Sequence, residues 1–243
     1  MSAPHFFAGS PAEGHIVVLT GDDARHAAGS RRLRPGDEIT SSDGAGAIAR
    51  CVVRSSSPER VEAKVLERSE IARPSPLVAV RLAAPKGDRL SWAVQKLTEI
   101  GADVIGILET DRSVRRWDEE RARKQAGRLE VIAREAAKQS GRRFLPDIEG
   151  PGTWDEALER SSGTKVVLWE EATDPLLATL PADPEGRVEI FVGPEGGIAE
   201  SDARGAQAGG AILASLGSTI LRTETAAIVG ASLALARYGR LGG

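Results

Sequence analysis

The sequence predicts a mixed α/β chain: a small, mostly β segment first, then a parallel sheet flanked by helices. Three observations carry this. Between Ile16 and Glu67, short runs rich in Val, Ile and Ala are separated by Gly, Asp and Ser, the pattern of strands joined by tight turns. Ala72-Arg73-Pro74-Ser75-Pro76 then breaks the pattern, because each proline lacks a backbone donor and disfavours helix before it. Beyond it, apolar runs of strand length alternate with helical patterns, as in βαβ units. The 243 residues, 41% apolar and 28% charged, suit one large or two small globular domains and exclude disordered, collagen-like and coiled-coil chains.

In the first segment, strands are expected at Ile16–Leu19, Glu38–Ser41, Ala47–Val53 and Arg60–Leu66. One or two helical turns at Asp22–Gly29 interrupt them, with Asp22 suited to cap the start and Gly29 the end. The proline-rich break sets the boundary, dividing residues 1–73 from 74–243. After it, strands are expected at Leu77–Ala83, Asp103–Leu108, Lys165–Trp169, Val188–Val192 and Ala211–Leu216, each short and apolar. Helices fit at Asp88–Ile100, stopped by Gly101, at Asp118–Gln139, at Trp154–Arg160, at Glu200–Ala208 and from Thr225 to Tyr238.

Composition removes several function classes. Cys51 is the only cysteine and His5, His15 and His26 the only histidines, so neither a disulfide framework nor a clustered zinc site can be built, and no metal is expected. The longest apolar stretch, Ala226–Ala236, is interrupted by Gly230 and Ser232 and falls short of the roughly 18 residues of a membrane span. Met1–Gly14 lacks the pattern of an export signal, so a cytoplasmic location is expected. Net charge is −3, but it is unevenly spread: 10 basic and 10 acidic side chains in residues 1–80, 15 and 10 in 81–145, 7 and 15 in 146–243. The basic middle suits a polyanionic partner or, alternatively, a solvated helix face.

Three loops and two basic clusters stand out. Ile190-Phe191-Val192 runs straight into Gly193-Pro194-Glu195-Gly196-Gly197, a glycine-rich turn at a strand end, where ligands bind in open α/β sheets. It is neither the dinucleotide fingerprint nor a phosphate-binding P-loop, and a tight strand-to-helix turn is the more common explanation of such a loop taken alone. Leu216-Gly217 through Thr225 is a second strand-end loop; Thr223 or Thr225 can cap the last helix, and Glu224 suits its positive end. Leu168-Trp169-Glu170-Glu171 is the third. Residues 112–143 carry 11 basic and 5 acidic side chains, and Arg25, His26, Arg31, Arg32 and Arg34 cluster in the first segment, a density suited to phosphate contacts. Only 4% of residues are aromatic, which argues against extensive base stacking.

Together these residues resemble the RsmE family of ribosomal RNA uracil-N3 methyltransferases in the SPOUT superfamily. The resemblance rests on Lys86 with Gln95-Lys96, Glu99 and Gly101; Arg112-Ser113; Glu135-Ala136 with Gln139-Ser140-Gly141-Arg142; Gly193 to Gly197; and Leu216-Gly217 with Ile220 to Ala226. His26, Arg32-Leu33-Arg34 and Gly36-Asp37 add to it. It implies an α/β fold with a SPOUT-type C-terminal domain (residues 74–243) tied in a deep trefoil knot, preceded by a small PUA-like β-barrel for RNA recognition (residues 1–73). It further implies S-adenosylmethionine as cofactor, 16S rRNA or the small ribosomal subunit as partner, and a homodimer. The cofactor pocket would then use Trp169, Gly193, Glu195, Gly196 and Gly197 with Leu216, Gly217, Ile220, Leu221, Thr223 and Thr225. RNA contacts would come from Arg25, His26, Arg32, Arg34, Lys86, Lys96, Arg112, Arg115 and Arg142.

The chemistry narrows the catalytic candidates. The imide N3 of uracil is protonated at neutral pH and must lose its proton before, or as, it attacks a methyl group. Arg112 is the leading candidate for a cation that polarises a uracil oxygen, with a phosphate contact as the other reading. Glu195 and Glu224 are candidates for the base, or for orienting their loops. A non-catalytic rRNA-binding or assembly factor on the same fold is the competing class; a Rossmann-type nucleotide enzyme lacks its glycine fingerprint.

Overall fold

A computed structural model describes residues 3–8, 14–109 and 118–242. The chain folds into two compact units, one of residues 1–73 with 137–145, the other of residues 74–136 with 146–243.

In the first unit, β1 (His5–Phe7), β2 (Ile16–Thr20), β3 (Glu38–Ser42), β4 (Ala47–Ser56) and β5 (Arg60–Glu70) form one sheet in the order β1-β3-β4-β5-β2. All pairs are antiparallel except β1 with β3. Alternation along the strands turns Leu19, Ile39, Cys51, Val61 and Ala63 into a common core with Phe6. The expected strands lie within β2 to β5. β1 was not expected: three residues are too few to display alternation. The helical stretch also differs from expectation. α1 (Gly21–Arg25) passes directly into a π-helical turn at His26–Ser30, so Gly29 lies inside a helical turn instead of ending one. Thr20, not Asp22, holds the N-cap position, and Asp22 pairs with Arg25 instead. Burial of Ala24, Ala27 and Leu33 with the sheet core accounts for this local winding.

Residues 137–145 join this unit, although they follow the proline break by more than sixty positions. Phe144 bridges to Ala45, Leu145 N donates to Gly44 O at 2.9 Å, and Lys138 Nζ bonds Asp23 Oδ1 at 2.7 Å. Gly46 permits the approach: at its φ of +126°, a Cβ would lie 2.7 Å from Ile71 O and 3.1 Å from Phe144 Cε1.

The second unit is built on a six-stranded, wholly parallel sheet in the order β11-β9-β10-β6-β7-β8. In chain order these are β6 (Leu77–Ala83), α2 (Arg89–Ile100), β7 (Val104–Glu109), α3 (Glu119–Ser140), β8 (Asp147–Thr153), α4 (Trp154–Arg160) and β9 (Thr164–Leu168). Then come α5 (Leu176–Thr179), β10 (Arg187–Val192), α6 (Glu200–Ala208), β11 (Ile212–Ala214) and α7 (Thr223–Arg237). Val78, Val80 and Leu82 of β6 face Leu90, Val94 and Leu97 of α2 and Ala231 and Leu235 of α7. On the other face, Phe191, Val167 and Leu213 meet Trp154 of α4 and Ala203 and Ala206 of α6. Helices on both faces explain why the strands read as continuous apolar runs. Gly101 ends α2 in the left-handed conformation at φ 108°, as expected of it.

Two elements were not expected. β8 carries Gly150-Pro151-Gly152 in place of an apolar run and so shows no strand pattern, yet it is the edge strand beside β7, where a missing donor is tolerated. α5 is a single turn. The order of strands reverses after β8: the chain crosses back past β6, and β10 inserts between β6 and β9. The carboxyl ends of β9, β10 and β11 therefore lie side by side, where a crevice forms in such sheets.

Candidate active site

The loops leaving β9, β10 and β11 close around a cavity of about 310 Å³. The first loop contributes Trp169 and Glu170, the second Gly193 to Ile198, the third Ser215 to Leu221, with Thr223 and Ala226 from the start of α7. Trp169 is buried; its backbone N–H bonds Ala214 O at 3.0 Å, and the Arg204 guanidinium lies 5.4 Å from its ring centre.

The glycine turn is shaped by close approach. Gly197 N donates to Pro194 O at 2.9 Å, closing the turn, and Gly197 has φ +74°. A Cβ on Gly193 would overlap the Ile198 side chain, and one on Gly197 would overlap the Glu170 carboxylate. Thr223 fixes this turn to α7. It and Thr225 were the two candidates to cap that helix, but both lie inside it; Thr223 is the first helical residue, and its buried Oγ1 donates to Gly193 O at 2.9 Å. Arg222 holds the cap position without a side-chain bond, so the hydroxyl is used between elements and not within one.

Ten of the expected cofactor residues line the cavity: Trp169, Gly193, Glu195, Gly196 and Gly197, then Leu216, Gly217, Ile220, Leu221 and Thr223. Ile220 stands at the rim, 90% exposed. Thr225 is not in the lining; it sits half-buried in the first turn of α7 between Thr223 and Ala226, which lie three residues apart on the helix face that does line the cavity.

The candidate bases are joined by a residue that no sequence motif singles out. Arg89, the first residue of α2, donates from Nη1 to Glu195 Oε1 at 3.1 Å and holds Nε 3.6 Å from Glu224 Oε1. Glu224 is buried, and its Oε2 has no hydrogen-bond partner among the described residues. Arg89 lies more than a hundred positions from either glutamate, so no local pattern links them. Glu170 likewise carries no signal of its own beyond a weak Trp-Glu-Glu.

The expected RNA contacts separate. Arg25, His26, Arg32 and Arg34 are exposed in the first unit, and Arg142, half-buried, falls in the same unit through residues 137–145. Arg32 adopts φ 52°, the one non-glycine residue at positive φ among those described. Lys86 is exposed in the second unit; Lys96 is held by Glu99 at 2.7 Å. Arg112 and Arg115 lie outside the described residues. Among the described residues, no cluster of His, Cys, Asp and Glu could hold a metal, and no helix is long and apolar enough to cross a membrane.

A family model for an RNA methyltransferase domain matches residues 73–235, and one for an RNA methyltransferase PUA domain matches residues 19–66. The chain is 37% identical over 225 residues to the ribosomal RNA small subunit methyltransferase E of Mycobacterium bovis, covering 90% of this chain and 86% of that one. It superposes with a TM-score of 0.85 on the ribosomal RNA small subunit methyltransferase E of Neisseria gonorrhoeae, solved bound to S-adenosyl methionine, at 28% identity over 97% of this chain and 98% of that one. A methyltransferase from Legionella pneumophila, solved with the bound cofactor, gives the same TM-score at 26% identity and the same coverage. With most of the chain matched by the methyltransferase model and a relative matched over nearly its whole length, the chain belongs to the ribosomal RNA small subunit methyltransferase E family.

Proposed function

We propose that the protein transfers the methyl group of S-adenosylmethionine to N3 of a uridine in 16S ribosomal RNA. The observation that carries this is the cavity at the adjacent ends of β9, β10 and β11, lined by the glycine turn Gly193 to Gly197 together with Leu216, Ile220 and Leu221. Its donors and acceptors fit the cofactor. Close-packed glycine backbone suits the ribose and amino-acid polar groups, the apolar side chains suit an adenine face, and Glu170 and Glu195 suit cationic groups. When bound, the cofactor supplies an electrophilic methyl group.

The chain's own residues have two tasks. They must hold the uracil edge against the cavity, and they must accept the N3 proton. Glu195 and Glu224 remain the candidate acceptors and Arg112 the candidate cation for a uracil oxygen. We further propose that residues 74–243 form the SPOUT methyltransferase domain, with its C-terminal part tied in a deep trefoil knot, and that residues 1–73 form a PUA-like β-barrel that presents Arg25, His26, Arg32 and Arg34 to rRNA. Lys86, Lys96, Arg115 and Arg142 complete the RNA contacts, two protomers form a homodimer, and an rRNA substrate implies a cytoplasmic site of action.

The test is transfer of labelled methyl groups to small subunits lacking the modification, followed by nucleoside analysis. Label in 3-methyluridine is the expected result. Label on another nucleoside refutes the N3 assignment, and no transfer to subunits or free rRNA favours a binding factor on the same fold.

A further inference from the structure

Two carboxylates of the candidate site share one guanidinium, and one of them keeps a buried oxygen with no hydrogen-bond partner among the described residues. Glu195 lines the cavity and its Oε1 is engaged by Arg89 Nη1 at 3.1 Å. Glu224 has a side chain only 7% exposed; its Oε1 lies 3.6 Å from Arg89 Nε, while its Oε2 has no hydrogen-bond partner among the described residues. Burying a carboxylate oxygen without a donor is costly, so the position calls for a donor that arrives with a ligand. Glu224 is also held next to the cavity: Thr223, just before it, is bonded to Gly193 O, and both Thr223 and Ala226 line the cavity. Uracil in an RNA strand offers one ring N–H, at N3.

Resting on the methyl-transfer reading above, we propose that Arg89 is a positioning residue that holds Glu224 as the acceptor of the uracil N3 proton while tying Glu195 to the cavity wall. In this step the N3–H bond breaks and its proton passes to Glu224 Oε2. The N3 electron pair forms the new bond to the methyl carbon, and the S–C bond breaks with its pair remaining on sulfur. One carboxylate charge and one sulfonium charge are lost together, so the step balances. Arg89 acts through geometry: a planar guanidinium reaches two carboxylates from Nη1 and Nε at once, which a lysine ammonium cannot reproduce.

The test uses the whole protein, small subunits lacking the modification and labelled S-adenosylmethionine, under single-turnover conditions, with Arg89→Gln, Arg89→Lys, Glu224→Gln and the Arg89→Gln/Glu224→Gln pair. Glu224→Gln is expected to slow transfer by about a hundredfold or more. Its calorimetric Kd for S-adenosylmethionine should stay within about twofold of wild type, because Glu224 is not in the cavity lining. Arg89→Gln should slow transfer by about tenfold, and Arg89→Lys should recover only part of that. At saturating cofactor, where the tie to Glu195 no longer limits the reaction, the double variant should be no slower than Glu224→Gln alone, since Arg89 acts on the transfer step through Glu224.

Losses that multiply in the double variant at saturating cofactor overturn the proposal, as does a full transfer rate in Glu224→Gln. A deficit of Arg89→Gln that vanishes at saturating cofactor would reduce Arg89 to shaping the cavity and also overturns it. If Arg89→Gln melts below the assay temperature, Arg89→Lys takes its place in the cycle, with the same expectations. Absence of 3-methyluridine from the wild-type reaction refutes the uridine reading instead; label present with multiplying losses refutes Arg89 alone.

Discussion

Replacing Arg240 with Met is expected to destabilise the second unit by about 3 kcal/mol, the lower part of the range for breaking a buried ion pair. Arg240 follows α7 and folds back on the start of the sheet. Nη1 bonds Asp103 Oδ2 at 2.5 Å and Pro76 O at 2.9 Å; Nη2 bonds Asp103 Oδ1 at 3.0 Å and Gly101 O at 3.1 Å. The side chains are 13% and 1% exposed, so water cannot replace the lost charge on Asp103, whose Oδ2 also accepts from Val78 N at 2.8 Å. For a unit of this size, ~3 kcal/mol lowers Tm by roughly 6–12 °C, readable by thermal unfolding. Adding Asp103→Asn removes the stranded charge but keeps an acceptor for Val78, so that double variant should melt above Arg240→Met alone. A drop of less than about 2 °C, or no recovery in the double variant, would show that the pair contributes no more than an exposed one and refute the reasoning.

Thr223→Val keeps shape but removes the donor to Gly193 O; it should cost about 1–3 kcal/mol and weaken S-adenosylmethionine binding by calorimetry, and an unchanged Kd would separate the glycine turn from α7. His5 lies between Thr40 Oγ1 at 3.0 Å and Ser42 Oγ at 3.1 Å, and burial, then the charge of Arg143, lower its pKa from 6.5 to about 4. The unfolded chain therefore takes up a proton that the native one refuses as pH falls from 6.5 towards 4, and the first unit loses stability through that window. Hydrogen exchange of β1 to β5 should show this slope flattened in His5→Gln; the same slope in the variant would assign it elsewhere. Arg81 crosses the sheet to Glu189 at 2.7 Å and Glu149 at 2.6 Å; burial alone would lower its pKa, but these bonds and charges outweigh it and raise it. Arg81→Met leaves Glu189, fully buried, without that counter-charge and should cost about 3–5 kcal/mol in urea unfolding, whereas a change within about 0.5 kcal/mol would contradict it.

Local physics made much of the fold legible. Strands covered on both faces must be apolar throughout, which is why β6, β7, β9 and β10 can be read from runs of Val, Ile and Leu. Edges and joins obey other rules. β8 can carry Gly150-Pro151-Gly152 because only one side of it must pair, so its sequence shows no strand pattern. Residues 137–145 belong to the first unit through a bridge and hydrogen bonds to residues 23–46, and no composition shift marks that return. The three site loops were visible because each joins a strand end to glycine or polar residues. Their convergence was not, since the order β11-β9-β10 is set by pairings distant in sequence.

The same distinction explains why Arg89 and the true role of Thr223 escape a reading by segments. Capping rules describe how a helix satisfies its own first turn, but α7 is secured by contacts to other elements at both ends. Thr223 ties its start to the glycine turn, and Arg240, just past its end, ties it to Asp103, Pro76 and Gly101. Between them Gly230 lets the helix lie close on the sheet: a Cβ there would come 2.9 Å from Leu168 Cδ1 and 3.4 Å from Ile190 Cγ2. Leu168 ends β9 and Ile190 lies in β10, the strands that lead into the first two site loops. Pressing α7 on those strands therefore sets both the height of the loops and the position of Glu224 beside Arg89, which makes the site a consequence of helix packing as much as of its glycines.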